Sequence, residues 1–252
     1  MDLIKKFFLI LILIFTTGWA QDQTVLFKNG NQYYQQGDYQ KAIDQYEQIL
    51  EQGFESGALY FNLGNSYYKL NELGKARLNY ERAAEFIQGD EALNENLRIL
   101  KMRLVDQIEA PPQFFLDTWW NYILNLFSVR ALIWIVAILF WVMIASLVFR
   151  IYHSTRGHIT RGKALFVFSL VVFLIFALIS AQKIYKLETE HFAVIMNPSV
   201  TLLAEPKIGG TEVFVLHEGT KVKIERRTNE WLEIKLVDGK TGWLTKDNLE
   251  VI

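Results

Sequence analysis

The stretch GNQYYQQGDYQKAIDQYEQI begins at Gly30, and GNSYYKLNELGKARLNYERA begins at Gly64. The offset between them holds position by position. Gly64 falls on Gly30, Asn65 on Asn31, Tyr67 and Tyr68 on Tyr33 and Tyr34, Ala76 on Ala42, Tyr80 on Tyr46, and Glu81 on Glu47. A fixed period of this length marks a repeat architecture built from pairs of helices. The residue types suit such a pair. Gly30 and Gly64 let two helices approach closely, Ala42 and Ala76 are small where the second helix crosses the first, and Tyr46 and Tyr80, one turn on, fill the space between units. One unit cannot bury its apolar face alone, so a second unit and a terminal element must complete the core. The segment GDEALNENLRILKMRLVD after Gln88 carries Leu93, Leu97, Leu100 and Leu104 at helical spacing and is expected to be that cap.

The period and its residues resemble the tetratricopeptide repeat (TPR). That resemblance implies a short curved array over residues 21–108, with the first helix of each unit lining a concave groove. Asn31 and Asn65 match the position after the glycine that, in this family, hydrogen-bonds the backbone of an extended peptide. Tyr34 and Tyr68 come three residues later on the same helical face, and Lys69 is placed to meet a carboxylate. Phe27 and Phe61 occupy one position where the family's clamp for a C-terminal carboxylate needs lysine, a departure from that clamp's pattern. The alternative for all of these residues is that they only stabilise the stack.

Charge narrows the partners. Residues 21–110 carry 9 Lys/Arg against 14 Asp/Glu, and residues 190–252 carry 8 against 10, so neither segment has the basic balance that nucleic acid requires. The chain has no cysteine, which excludes disulfides and thiolate metal sites.

The first twenty residues, MDLIKKFFLILILIFTTGWA, have a basic start at Lys5 and Lys6, an apolar run from Phe7 to Phe15, and small residues at Gly18 and Ala20. This is the three-part pattern of a signal peptide cleaved between Ala20 and Gln21; an uncleaved N-terminal anchor is the alternative. Two uncharged runs of equal length follow, Ala131–Phe149 and Ala164–Gln182. At ~1.5 Å per residue each reaches the thickness of a bilayer's hydrocarbon. Between them residues 150–163 hold Arg150, Arg156, Arg161 and Lys163 and no acid, a bias that keeps a short loop in the cytoplasm. The runs are then expected to form a hairpin in the inner (cytoplasmic) membrane, with both flanking domains outside the cytoplasm. In residues 109–130, Pro111-Pro112 ends the helical array, and Phe114, Phe115, Trp119, Trp120, Tyr122 and Phe127 then crowd together. Such a segment suits the bilayer interface, or a docking surface against another membrane protein.

From residue 183 the chain leads into short alternating runs. Val222–Ile224, Trp231–Leu236 and Thr241–Thr245 read as strands, separated by turn signals at Glu218-Gly219, Asn229-Glu230 and Asp238-Gly239. About five strands in so short a segment suggest a small closed barrel. The stretches EGTKVKI and EWLEIKLVDGKTGWL resemble a bacterial SH3 domain, with Trp231 opening one strand and Trp243 packing on the barrel. Members of that family bind cell-wall peptides or proteins, which makes Trp231 and Trp243 a possible ligand face; core packing is the alternative for each.

No nucleophile elbow, phosphate-cradling loop or HExxH motif occurs, and His153, His158, His191 and His217 are not in ligand spacing. The carboxylates read as solvated helix faces, Glu47 and Glu51 at i,i+4 among them. The expected fold is therefore multidomain: an all-α TPR array, a two-helix transmembrane hairpin and an all-β SH3-like barrel, with no catalytic centre and no cofactor. This order of parts resembles the BatE family of bacterial aerotolerance operon proteins. The resemblance implies a membrane-bound partner in a complex with von Willebrand factor A-type Bat proteins and a MoxR-type ATPase, linked to envelope stress or oxygen tolerance, and the leading expectation is a non-enzymatic scaffold that holds envelope proteins together. The alternative is a receptor or sensor for peptidoglycan peptide acting through the SH3-like domain.

Overall fold

A computed structural model describes residues 23–112, 114–153 and 159–252. The expected signal peptide, with Ala20 and Gln21, lies outside the described residues, as do residues 154–158 of the basic loop. The fold is a TPR-like helical array, a pair of long apolar helices and an antiparallel SH3-like sheet. The chain divides into two compact units: one combines the chain up to Glu109 with Phe192–Ile252, and the other is Ala110–His191.

In the first unit, α1 (residues 23–36), α2 (Tyr39–Glu51), α3 (Gly57–Lys69), α4 (Leu73–Phe86) and α5 (Glu91–Arg103) stack in sequence. Local chemistry sets their ends. Ser56 caps α3 by accepting from Leu59 N at 3.2 Å. Asp90 caps α5 by accepting from Leu93 N at 2.8 Å. The turns inside the two repeats are copies of one another. Gly37 and Asn71, one repeat apart, both take positive φ (83° and 65°), and Asp38 N and Glu72 N reach back to Tyr33 O and Tyr67 O at 3.0 Å each. Glycine and asparagine are the residues that enter this backbone region at least cost.

The core of the array contains Ala42, Ile43, Tyr46, Leu63, Ala76, Tyr80, Leu93 and Leu100. Leu93, Leu97 and Leu100 face it from α5, whereas Leu104 lies past the helix end, where the backbone turns extended (φ −69°, ψ 148°).

The C-terminal part of this unit contains seven strands: β1 (His191–Ile195), β2 (Ser199–Leu203), β3 (Glu212–His217), β4 (Lys221–Thr228), β5 (Trp231–Lys235), β6 (Thr241–Thr245) and β7 (Leu249–Val251). They form one sheet in the order β3-β2-β6-β5-β4-β1-β7. Its core is Ala193, Ile195, Leu202, Leu216, Val222, Ile224, Leu232, Ile234 and Leu244. β4 runs beyond the expected Ile224, because a bulge between Ile224 and Arg226 restores pairing with β5 as far as Thr228 opposite Trp231. The hairpin then turns on Asn229, whose φ is 53°.

The second unit holds α6 (Phe115–Asn125), α7 (Val129–His153) and α8 (Ile159–Thr189). The aromatic segment is thus a helix, and Phe115, Trp119 and Tyr122 are exposed on it. Val129–Tyr152 and Gly162–Thr189 are long and apolar enough to cross a membrane, and their most apolar 18-residue stretches have mean hydropathy 2.8 and 2.9. Both helices outrun the uncharged stretches, since a helix does not stop where its apolar run does. They pack antiparallel: the Ser146 and Ser169 hydroxyls meet at 2.7 Å, and the Arg150 guanidinium lies 5.4 Å from the Phe166 ring centre. Lys183, the residue after the expected end of the second run, is buried. Its amine donates to Leu124 O at 2.8 Å, a carbonyl in the last turn of α6 with no further helical turn to bond, and to Phe127 O at 2.7 Å just beyond that helix.

Candidate functional site

Asn31 and Asn65 occupy two equivalent stations. Asn31 Oδ1 accepts from Tyr46 Oη at 2.7 Å and from Asn62 Nδ2 at 2.9 Å. One repeat later, Asn65 Oδ1 accepts from Tyr80 Oη and from Asn96 Nδ2, both at 2.8 Å. The glycines are the seats of the two rings: a Cβ on Gly30 would lie 2.4 Å from Tyr46 Cε1, and one on Gly64 would lie 2.5 Å from Tyr80 Cδ1. Burial pushes the Tyr46 hydroxyl up to about 12 and raises that of Tyr80 as well, so both remain hydrogen-bond donors at neutral pH.

Each asparagine oxygen thereby uses both lone pairs within the fold. The two N–H groups of Asn31 and Asn65 meet no protein acceptor among the described residues. Such N–H groups are able to donate to an acceptor outside the fold. Sequence reasoning does not single out Asn62 and Asn96, although the same repeat offset relates them.

Tyr34 stacks edge-on against Tyr39 at 5.3 Å, and burial together with Tyr39 raises its pKa. The Arg103 guanidinium lies 4.7 Å from the Tyr68 ring centre and also bonds Asn71 Oδ1. Lys69 is exposed in the last turn of α3.

In the sheet, Trp231 pairs with Thr245, and Trp243 pairs with Glu233, two residues along from Trp231 on β5, so both tryptophans share one face. Trp231 is half-buried. Trp243 is buried, with the Arg226 guanidinium 5.6 Å from its ring centre while Arg226 Nη2 donates to Glu233 Oε1 at 3.0 Å.

The array and the sheet dock on one another through charges that sequence alone reads as solvated. Glu81 on α4 is buried; it accepts from Arg77 Nη2 at 2.6 Å and from Lys221 Nζ at 2.7 Å. Burial works to raise its pKa, but the Arg77 and Lys221 charges outweigh it and hold the carboxyl below its usual range. Arg82 donates to Glu250 Oε1 at 3.0 Å and to Val251 O at 2.8 Å. Asp106 Oδ2 accepts from His217 N at 2.7 Å and Thr220 Oγ1 at 2.6 Å, and its Oδ1 lies 2.9 Å from His217 Nδ1. Desolvation again pushes upward, and these hydrogen bonds bring the Asp106 pKa down overall. Glu47 also has a partner in the fold, the Tyr67 hydroxyl. Among the described residues, no cluster of three His, Asp or Glu side chains could hold a metal ion.

Comparison with known proteins agrees with this division. Residues 23–53 match the tetratricopeptide repeat, and residues 198–250 match the bacterial SH3 domain. No curated protein matches the chain. Among solved structures, one described as the first TPR of Spaghetti (RPAP3) bound to HSP90 peptide SRMEEVD is 21% identical, with a TM-score of 0.21, over 32% of this chain and 92% of that one. The chain therefore combines TPR and bacterial SH3 modules with two helices that are candidates to cross a membrane. Such modules are typically non-catalytic and serve protein–protein interaction or peptidoglycan binding, and no enzymatic family is indicated.

Proposed function

We propose that this chain is a membrane-anchored, non-enzymatic scaffold of the BatE type. In this reading it presents its TPR array and SH3 domain outside the cytoplasm and assembles envelope proteins, the von Willebrand factor A-type Bat proteins among them. The observation that carries the reading is the pair of asparagine stations, which recur one repeat apart and whose side-chain N–H groups meet no acceptor among the described residues, as donors to the backbone of an extended segment would. Tyr34 and Tyr68 would then flank the bound segment, and Lys69 would meet an acidic group on it. The topology draws support from connectivity. The array and the sheet belong to one compact unit, and two spans between them return the chain to the side it left.

Crosslinking in intact membranes, followed by purification of the chain, tests this against an Asn31→Asp/Asn65→Asp variant. Aspartate keeps the acceptor for the tyrosine and asparagine donors but removes the amide donors. Recovery of specific membrane proteins by the wild type, and their loss from the variant, is the expected result. Equal recovery from both would remove the groove from the scaffold reading.

A second reading is a peptidoglycan-peptide receptor. The bacterial SH3 match and the half-buried Trp231 beside Trp243 favour it. Sedimentation of the solubilised chain with purified cell wall, reduced by Trp231→Ala, would support it.

A further inference from the structure

The residues that follow α5 alternate in and out against the SH3 sheet. Leu104, Asp106 and Ile108 point inward, whereas Val105 is 68% exposed and Gln107 is exposed too. Leu104 lies over Gly219, where a Cβ would stand 2.4 Å from Leu104 Cδ2. Ile108 packs on the sheet's own core cluster. Between them Asp106 takes the His217 N–H, the His217 ring and the Thr220 hydroxyl, and only 13% of its side chain is exposed. The turn that receives it is fixed by two bonds to β1: Gly219 N donates to Ile195 O at 2.8 Å, and Ile195 N donates to Thr220 O at 3.0 Å. Among the described residues, no backbone–backbone hydrogen bond joins this strap to the sheet, so three side chains hold it. The sheet keeps separate anchors on α4 through Glu81–Lys221 and Arg82–Glu250.

The geometry points to a peptide-binding site on the SH3 domain at the 217–220 turn, specific for an extended segment with an apolar residue, an aspartate and an apolar residue at alternate positions, and filled in cis by Leu104–Ile108. The glycine at 219 admits the first apolar side chain, the turn's donors read the carboxylate, and the edge of the core takes the second apolar side chain. A partner carrying the same pattern competes with the strap while the α4 anchors keep the sheet in place. This site is distinct from the TPR groove and does not depend on the scaffold reading.

The test uses the full chain in detergent and a fluorescent peptide with the sequence of residues 103–109. Anisotropy is compared for the wild type, Asp106→Ala and Ile108→Ala, with circular dichroism confirming that each is folded. Because the cis strap protects the site, the peptide should bind each variant about tenfold more tightly than the wild type. A peptide with asparagine in place of the aspartate should bind about tenfold more weakly than the parent. Folded variants that fail to take the peptide, or equal binding of the aspartate and asparagine peptides, would overturn the site. So would loss of fold in both variants, since the strap would then be part of the core and not a ligand.

Discussion

Glu81 of α4 and Lys221 of β4 meet at 2.7 Å across 140 residues of sequence, joining a helical repeat to a sheet. The carboxylate is the buried partner and is shared with Arg77. Glu81→Ala leaves two cations facing each other without their anion and should cost about 3–5 kcal/mol. Lys221→Ala leaves Glu81 paired with Arg77 and should cost less, about 1–3 kcal/mol. Urea unfolding of the solubilised chain, with separate probes in the array and the sheet, measures both. The two transitions should drift apart in the Glu81 variant.

The docking should also depend on acid. Asp106 and Glu81 both have folded pKa values below their ordinary ones. Their unfolded values are about 3.9 and 4.3. A depressed folded pKa contributes stability that is fully present above the unfolded value and is lost as pH falls through the folded value. An Asp106→Asn/Glu81→Gln double variant should therefore be less stable than the wild type at neutral pH. The difference should hold down to about pH 5 and close as pH falls below the unfolded values. Thermal melting across that range checks it.

The ring seats make another prediction. Alanine favours a helix over glycine by about 1 kcal/mol, so Gly30→Ala and Gly64→Ala would stabilise an isolated helix. Here the added methyl meets a buried tyrosine ring that its own hydroxyl ties to asparagine at 2.7 Å and 2.8 Å. Overpacking should win, giving a net loss of about 1–3 kcal/mol per site in denaturant titrations.

The asparagines should separate stability from binding. Asn31→Ala leaves the Tyr46 hydroxyl and the Asn62 amide without their acceptor and should cost about 1–3 kcal/mol. Asn31→Asp retains that acceptor and should cost less. Thermal unfolding of the two variants side by side measures the difference.

The array was legible because its period repeats side chains of unusual type, and glycine, alanine and tyrosine at fixed offsets leave few other packings. The strands were legible where Trp231 and Thr241 open alternating runs, and less so at β4, where a bulge shifts the alternation that sequence reading depends on. Asn62 and Asn96 carried the same period, but Asn62 stands between Phe61 and Leu63 and Asn96 between Glu95 and Leu97, and neither setting marks the amide as facing another helix. The docking of sheet on array was not legible. Its contacts span 111 to 169 residues, and Glu81 and Asp106 look in sequence like any surface acid. What makes them partners is the burial that the other domain supplies.

The asparagine stations also fix where the array stops. Helix α5 offers Asn96 as the donor for the station before it, but it carries Arg98 where a glycine seat would be and Ile99 where the next asparagine would be. One more step of the period from Tyr80 falls on Phe114, which has no hydroxyl. The helix can receive the preceding unit and cannot begin another, like a coupling with only one threaded end. A whole repeat duplicated upstream of α5 would keep every station intact and add one, so the groove could lengthen over evolution without disturbing the junction with the sheet.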